Sequence, residues 1–139
     1  VKFCADKLLD YLKEIDLLKS YFDKKDKEIE DHNTGKNYSH SANVRKLTNL
    51  GSFRAYMEHF LNNHPSITKE MTFLVRQLPP NEKGLPIEIY VFSSEQRWAY
   101  YEAIQADIFD HIIAVLPEFE LNVFQSPSGN DLNGFINEK

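Results

Sequence analysis

A histidine and two aspartates lie close together in the segment QADIFDHIIAVLPEF, residues 105–119. Asp107, Asp110 and His111 belong to residue types that bind metal ions or transfer protons in active sites. On a helix, Asp107 and His111 are four residues apart and therefore neighbours, whereas Asp110 points elsewhere into solvent. Two ligands at the border of a helix do not make a zinc site, which needs three or four. The spacing therefore favours a polar boundary pair between Asp107 and His111 over a metal or acid–base site.

Other motifs for catalysis, metal binding or cofactor binding do not emerge from the sequence. The acidic run at residues 23–31 lacks the alternating oxygen ligands and central glycine of a calcium loop. TGKN, residues 34–37, does not have the spacing of a phosphate-binding loop. Cys4 has no nearby histidine, and the chain contains no G-x-S-x-G nucleophile motif. The remaining histidines occur at no ligand spacing: His32, His40, His59 and His64. We therefore expect no enzyme activity, no cofactor, and no catalytic, cofactor-binding or metal-binding residue.

Composition and charge limit the possible partners. The 139 residues, 42% of them hydrophobic, suffice for one domain with its own core. The single cysteine excludes an internal disulfide and suits a reducing compartment. Residues 66–139 carry 5 basic and 11 acidic side chains, and this charge makes nucleic acid an unfavourable partner. Val1 falls within a predicted element, so we expect a piece of a larger protein.

Apolar periodicity predicts an α+β fold. Residues 5–31 have apolar side chains at three- and four-residue steps, which is typical of an N-terminal amphipathic helix. The following pattern is strand 44–49, a helix from Gly51 to Pro65, strands 71–78 and 85–92, helix 94–116 and strand 119–124. This β-α-β-β-α-β order predicts a ferredoxin-like domain, a four-stranded antiparallel sheet with both helices on one face. We accordingly divide the chain into three parts. Residues 1–43 are a helical insertion or linker that follows a truncated β-domain, residues 44–126 are the ferredoxin-like domain, and residues 127–139 are a flexible tail.

Some ferredoxin-like sheets bind RNA through aromatic residues on their strands. Tyr90 and Phe92 on the third predicted strand are candidates for such a role. The glycine- and aromatic-rich signature of that strand is absent, however, and the acidic charge opposes RNA. We therefore do not expect RNA binding.

Residues 46–126 contain several segments that resemble one protein family. LTNLGSFRAY, LVRQL, GLPIEIY, IQADIFDH and VLPEF are similar to the cytoplasmic C-terminal region of MscS-like mechanosensitive ion channels of bacteria. Within that family they look most like the miniconductance (YbdG-like) branch. Residues 1–45 fit more loosely, as the helical insertion that precedes this domain in the branch.

The resemblance implies a function that the residues alone do not indicate. Such channels sit in the bacterial inner membrane, open under membrane tension and release solutes during hypo-osmotic shock. The domain would line a cytoplasmic vestibule as part of a homo-heptamer, attached to the membrane through a transmembrane region outside this chain. Gly51, Arg54, Asp107, Asp110 and His111 would be determinants of folding and subunit packing. Two other interpretations remain open: a stand-alone ferredoxin-like regulatory module that binds a small ligand, and a hydrolase using Asp107 and His111.

Overall fold

Helices form where apolar residues recur at three- and four-residue steps in the computed structural model, which describes residues 1–129 and 131. The α-helices are α1 (Asp6–Lys13), α2 (Lys19–Asn33), α3 (Asn49–Asn63) and α4 (Trp98–Val115). The strands are β1 (Ile67–Thr68), β2 (Leu74–Gln77), β3 (Ile87–Tyr90) and β4 (Phe92–Ser93). Short 3-10 helices lie at Asp16–Leu18, Ser41–Asn43 and Leu116–Phe119. The predicted α+β class is confirmed.

The predicted single helix at 5–31 is wrong, because the chain breaks into two helices. Helix α1 ends at Lys13, and Ile15 takes an extended conformation before the 3-10 turn that leads into α2. The apolar stripe continues across this break, because the residues before and after the 3-10 turn face the same hydrophobic core. Four of its six predicted residues are buried, Leu8, Leu12, Leu18 and Phe22, whereas Ile15 is half-buried and Tyr11 is 48% exposed. Periodicity therefore located most of the buried face and missed the break.

The core forms around helix α3, on which the N-terminal helices pack. Thr48 caps the start of α3, its hydroxyl accepting a hydrogen bond of 3.0 Å from the backbone N–H of Gly51. Phe53, Met57 and Leu61 of α3 are almost fully buried in one cluster with the apolar stripe of α1 and α2. The stripe thus packs on this chain's own helix.

The strands form a long antiparallel ribbon with an interruption. Strands β2 and β3 pair from Leu74 opposite Tyr90 to Gln77 opposite Ile87. Strands β1 and β4 pair with Ile67 opposite Ser93. Residues 69–73 and Val91 lie between these ladders and belong to neither of them. The predicted hairpin of the second and third strands is confirmed, with shorter strands.

The two outer strands of the predicted sheet are not formed. In segment 44–49, Thr48 makes only an isolated bridge with Phe3, and the backbone of Arg45 is bound by the side chain of Asn33 instead of a strand. In segment 119–124, a 3-10 helix continues to Phe119, and Glu120 then turns the chain with a φ of 52°. The described residues therefore contain two two-stranded sheets, and the finer ferredoxin-like topology is not confirmed.

Two predictions concern the end of the chain and the membrane. Residues 130 and 132–139 of the predicted flexible tail at 127–139 lie outside the described residues. Among the residues that are described, no helix combines the length and hydropathy needed to cross a bilayer.

Candidate functional site

His111 does not pair with either nearby aspartate. Its Nε2 atom lies 2.8 Å from the hydroxyl of Tyr56 on α3. Its ring stacks on Phe60, with 4.0 Å between centroids and 8° between planes. No hydrogen bond or ion pair joins His111 to Asp107 or Asp110 in the described part of the chain. The predicted Asp107–His111 pair is therefore wrong, since the imidazole finds better partners on α3.

The electrostatics of this contact indicate a structural connection between helices. Burial raises the pKa of Tyr56, so the hydroxyl remains protonated at neutral pH. It can then donate its hydrogen bond to the imidazole of His111. Nowhere in residues 1–129 do three His, Cys, Asp or Glu side chains cluster as metal ligands. The contact holds α4 against α3.

Cys4 lies where its thiol is held in the unreactive form. The side chain is partly buried beside the start of α3, and this burial raises its pKa. Because the thiolate is the nucleophile, a raised pKa lowers its reactivity at neutral pH. The geometry thus gives no support to a nucleophilic role for this residue.

Gly51 and Arg54, which the family resemblance singles out, lie on α3. A Cβ atom added at Gly51 would come within 2.9 Å of the Thr48 hydroxyl, so glycine permits the close approach that caps the helix. Arg54 is half-buried, and its Nε atom has no hydrogen-bond partner among the described residues. Gly51 therefore has a clear structural role within the chain.

A buried amide, which the sequence pattern does not indicate, joins three parts of the chain. Asn49, at 1% exposure, accepts a hydrogen bond of 3.0 Å from the backbone N–H of Lys2. Its side-chain amide donates to the carbonyl oxygens of Phe119 at 3.1 Å and Glu120 at 3.3 Å. An asparagine after a helix cap is common, so no sequence signal distinguished it.

An open apolar groove separates α4 from the strand ribbon. Its volume is about 1120 Å³. Ile87, Ile89 and Val91 line one wall, and α4 and residues 121–124 line the others. A volume of this size is ample for a ligand or a peptide segment. The sequence pattern predicts that α4 packs directly on the sheet, and such packing would leave no groove between them.

Helix α4 is the most incompletely packed element. None of its residues is buried, although most of its 18 residues are apolar. Its predicted inner face, which includes Ile104, Ile108 and Ile112, lines the groove and is only half-buried. On other sides Trp98 is 77% exposed, Phe109 54% and Ile113 56%. The helix thus presents apolar surface on more than one side.

The candidate site is thus an apolar surface, formed by the groove and α4, and the described residues contain no cluster of three possible metal ligands. Comparison with known proteins does not assign it to a family. No protein-family model matches the sequence, and no solved structure matches the fold.

Proposed function

We propose that this chain is the cytoplasmic vestibule and assembly domain of a mechanosensitive ion channel of the MscS-like family. The proposal combines the sequence resemblance of residues 46–126 with one structural observation, the exposed apolar surface of α4. In the bacterial inner membrane, a homo-heptamer of such chains would release solutes during osmotic stress. The domain would have no catalytic activity, and its acidic surface would repel nucleic acid.

The surface of α4 supports a role in assembly. Soluble monomers rarely expose large contiguous apolar patches, and such patches commonly mark protein–protein contacts. Phe109 and Ile113 are one helical turn apart, so their exposed side chains form part of one such patch. In a ring, each subunit contacts the next through two different surfaces, and one would contain α4.

The finer ferredoxin-like topology is part of the same proposal. Segment 121–124 has no regular structure, and Val123 and Phe124 are about half exposed at 49% and 50%. We propose that this segment and segment 44–49 take up strand conformation in the assembled protein. The sheet would then have the four strands that the sequence pattern predicts.

The experiment compares assembly and tension response in the full polypeptide that contains this chain. The test variant combines Phe109→Ser with Ile113→Ser, and the matched control is Lys24→Ser on the exposed surface of α2. Bacteria that lack their own tension-gated channels would produce each protein. Native mass spectrometry would give the number of subunits, and patch-clamp recording under suction would give the current.

We expect seven subunits and tension-gated current for the wild type and the control, and loss of both for the double variant. A wild-type protein without tension-gated current would refute the channel function. A double variant that assembles normally would show that α4 does not form the subunit contact.

One observation favours a second candidate function, a stand-alone regulatory module that binds a small ligand. The groove of about 1120 Å³ has predominantly apolar walls, as small-molecule sites commonly do. A small ligand that binds the folded chain would raise its melting temperature, and above the dissociation constant the rise would increase with the logarithm of the ligand concentration. Such a rise, in a protein that has no membrane association, would favour this candidate over the channel.

A further inference from the structure

Helix α4 carries acidic side chains without any counter-charge of its own. Its 18 residues include three acidic residues and no lysine or arginine. All three are exposed, and none takes part in an ion pair within the described part of the chain: Glu102, Asp107 and Asp110. Asp110 is three residues from Ile113, so it adjoins the exposed apolar patch of Phe109 and Ile113. The outer surface of α4 is therefore both apolar and negatively charged.

A guanidinium group on the other side of α3 has no acceptor. Arg54 and Tyr56 are two residues apart on α3, so their side chains point to nearly opposite sides of the helix. Tyr56 contacts His111 of α4, and Arg54 is therefore directed away from α4. The buried Nε atom of Arg54 forms no hydrogen bond, and no ion pair among the described residues includes this side chain. Buried donors in folded proteins generally have a partner, and this one lacks it.

Arg54 belongs to a basic patch that α2 and α3 form together. Burial raises the pKa of Tyr21 on α2, and the nearby positive charge of Arg54 opposes this rise. Glu28, on the same face of α2, has a lowered pKa because Lys25 donates a hydrogen bond to it and because other positive charges lie nearby. The basic patch comprises four basic residues, Lys24, Lys25, Arg45 and Arg54, and two acidic ones, Glu28 and Glu58. Its net charge is therefore positive.

The basic patch and α4 complement each other only between different copies of the chain. Within one chain they lie on opposite sides of α3 and do not meet. A symmetric contact of α4 with α4 would place acidic residues against acidic residues, which is unfavourable. A head-to-tail contact instead brings the acidic surface of one copy against the basic patch of the next, and such a contact can close into a ring. Because one chain carries both complementary surfaces, a second copy is the partner that fits.

We propose that the basic patch of one subunit binds α4 of the next, with Arg54 paired to Asp110 of the partner subunit. A guanidinium group can donate two parallel hydrogen bonds to one carboxylate, and the Nε atom of Arg54 would then have its acceptor. Phe109 and Ile113 beside Asp110 would exclude water from this pair. The inference rests on the homo-oligomer of the proposed function and names the second surface of its subunit contact. It does not depend on gating by tension.

Charge reversal tests this contact in the full polypeptide that contains the chain. The variants are Arg54→Glu, Asp110→Arg and the combination of both. The control is Asp23→Arg, which makes the same change of charge at an exposed residue on the opposite face of α2 from Tyr21. Native mass spectrometry over a range of protein concentrations would count the subunits, and urea unfolding would show whether each variant folds.

We expect each single variant to assemble only at a protein concentration at least about tenfold higher than the wild type requires. The control and the combined variant should assemble as the wild type does, since the combined variant restores opposite charges across the contact. Asp110 is exposed, so Asp110→Arg should fold with wild-type stability. This variant therefore tests the contact even if the half-buried position of Arg54 does not tolerate glutamate.

A mixture of the two single variants distinguishes a contact between subunits from one within a chain. Where Arg54→Glu subunits alternate with Asp110→Arg subunits, each reversed charge faces a reversed charge of opposite sign, and each native charge faces its native partner. We expect oligomers that contain both variants, at a concentration where neither variant assembles alone. A pair within one chain would not be restored by mixing.

Several results would overturn the inference. They are a wild-type protein that stays monomeric, normal assembly of Asp110→Arg, and a combined variant or a mixture that assembles no better than the single variants. Weakening of the same size by Asp23→Arg would also overturn it, because a general effect of charge would then explain the loss. Assembly that is lost and restored as expected, in a protein without tension-gated current, would support this contact while refuting the channel function.

Discussion

Replacing Asn49 by alanine removes the buried amide that joins the N-terminal residues, the start of α3 and the end of the 3-10 helix after α4. The variant loses three hydrogen bonds that join separate parts of the chain, from Lys2 and to Phe119 and Glu120, and a local one from the backbone N–H of Leu50. Each of the three long-range bonds contributes about 1 kcal/mol to stability. The carbonyl oxygen of Phe119, a residue with no exposure, would be left without this partner. We therefore expect the free energy of unfolding to fall by about 3 kcal/mol.

Urea unfolding followed by far-ultraviolet circular dichroism measures this loss. With a slope of about 2 kcal/mol per molar, the midpoint should fall by about 1.5 M. The control is Asn122→Ala, because Asn122 is exposed and forms no hydrogen bond among the described residues. The control should stay within about 0.5 kcal/mol of the wild type. A loss below about 1 kcal/mol for Asn49→Ala would refute the reasoning.

Asn49→Asp separates the donor from the acceptor function of the amide. The new carboxyl group keeps an acceptor for Lys2 but faces the carbonyl oxygens of Phe119 and Glu120. This disfavours the ionised form and raises the pKa of the carboxyl group in the folded state. Its folded pKa then exceeds the unfolded value of about 3.9, so stability relative to the wild type falls as the pH rises above about 4. A difference that does not vary with pH would contradict this arrangement.

The remaining predictions use the same unfolding assay. His111→Ala should lower the free energy of unfolding by about 2 kcal/mol, because it removes a hydrogen bond to Tyr56 and a ring stacked on Phe60. Asp107→Asn should change the free energy of unfolding by less than about 0.5 kcal/mol. Equal losses for the two variants would instead indicate that Asp107 and His111 pair with each other. Hydrogen bonds from the neighbouring arginine lower the pKa of Glu95 to about 2. The stabilisation that Glu95→Gln removes should therefore be present above about pH 4.5 and disappear as the pH falls toward 2; a difference that persists at the acid end would argue against the ion pair. Thr48→Ala should lower the free energy of unfolding by about 1 kcal/mol through loss of the helix cap. Thr48→Ser keeps the hydroxyl group and should recover most of this loss. A serine variant as unstable as the alanine variant would show that the methyl group, and not the hydroxyl, stabilises the helix start.

Elements with strong local signals were predictable from the sequence. Helices α3 and α4 and the hairpin of β2 and β3 were located because their apolar spacing and flanking prolines specify them locally. The break at Ile15 was not predicted, because the apolar stripe continues across it with the same spacing. A period of three to four residues does not distinguish one long helix from two joined by a 3-10 turn.

The outer strands and the groove depend on contacts that are distant in sequence. Segment 44–49 has strand character, but the Asn33 side chain binds the backbone of Arg45 first. Segment 119–124 has alternating apolar residues, but Phe119 is buried in the core and Glu120 redirects the chain. The role of His111 was misassigned for a similar reason, since its partners on α3 are about 50 residues away along the chain.

The same bond between Asn33 and Arg45 has a practical consequence for engineering. Two hydrogen bonds of 2.9 and 2.8 Å hold the ends of the intervening loop together, independently of the loop itself. Residues 37–43 within it are all exposed. Doubling the length of a flexible loop costs only about 0.6 kcal/mol in closure entropy. The loop is therefore a suitable insertion point for a fluorescent reporter or an affinity tag, and such an insertion would leave both the groove and the exposed face of α4 unmodified.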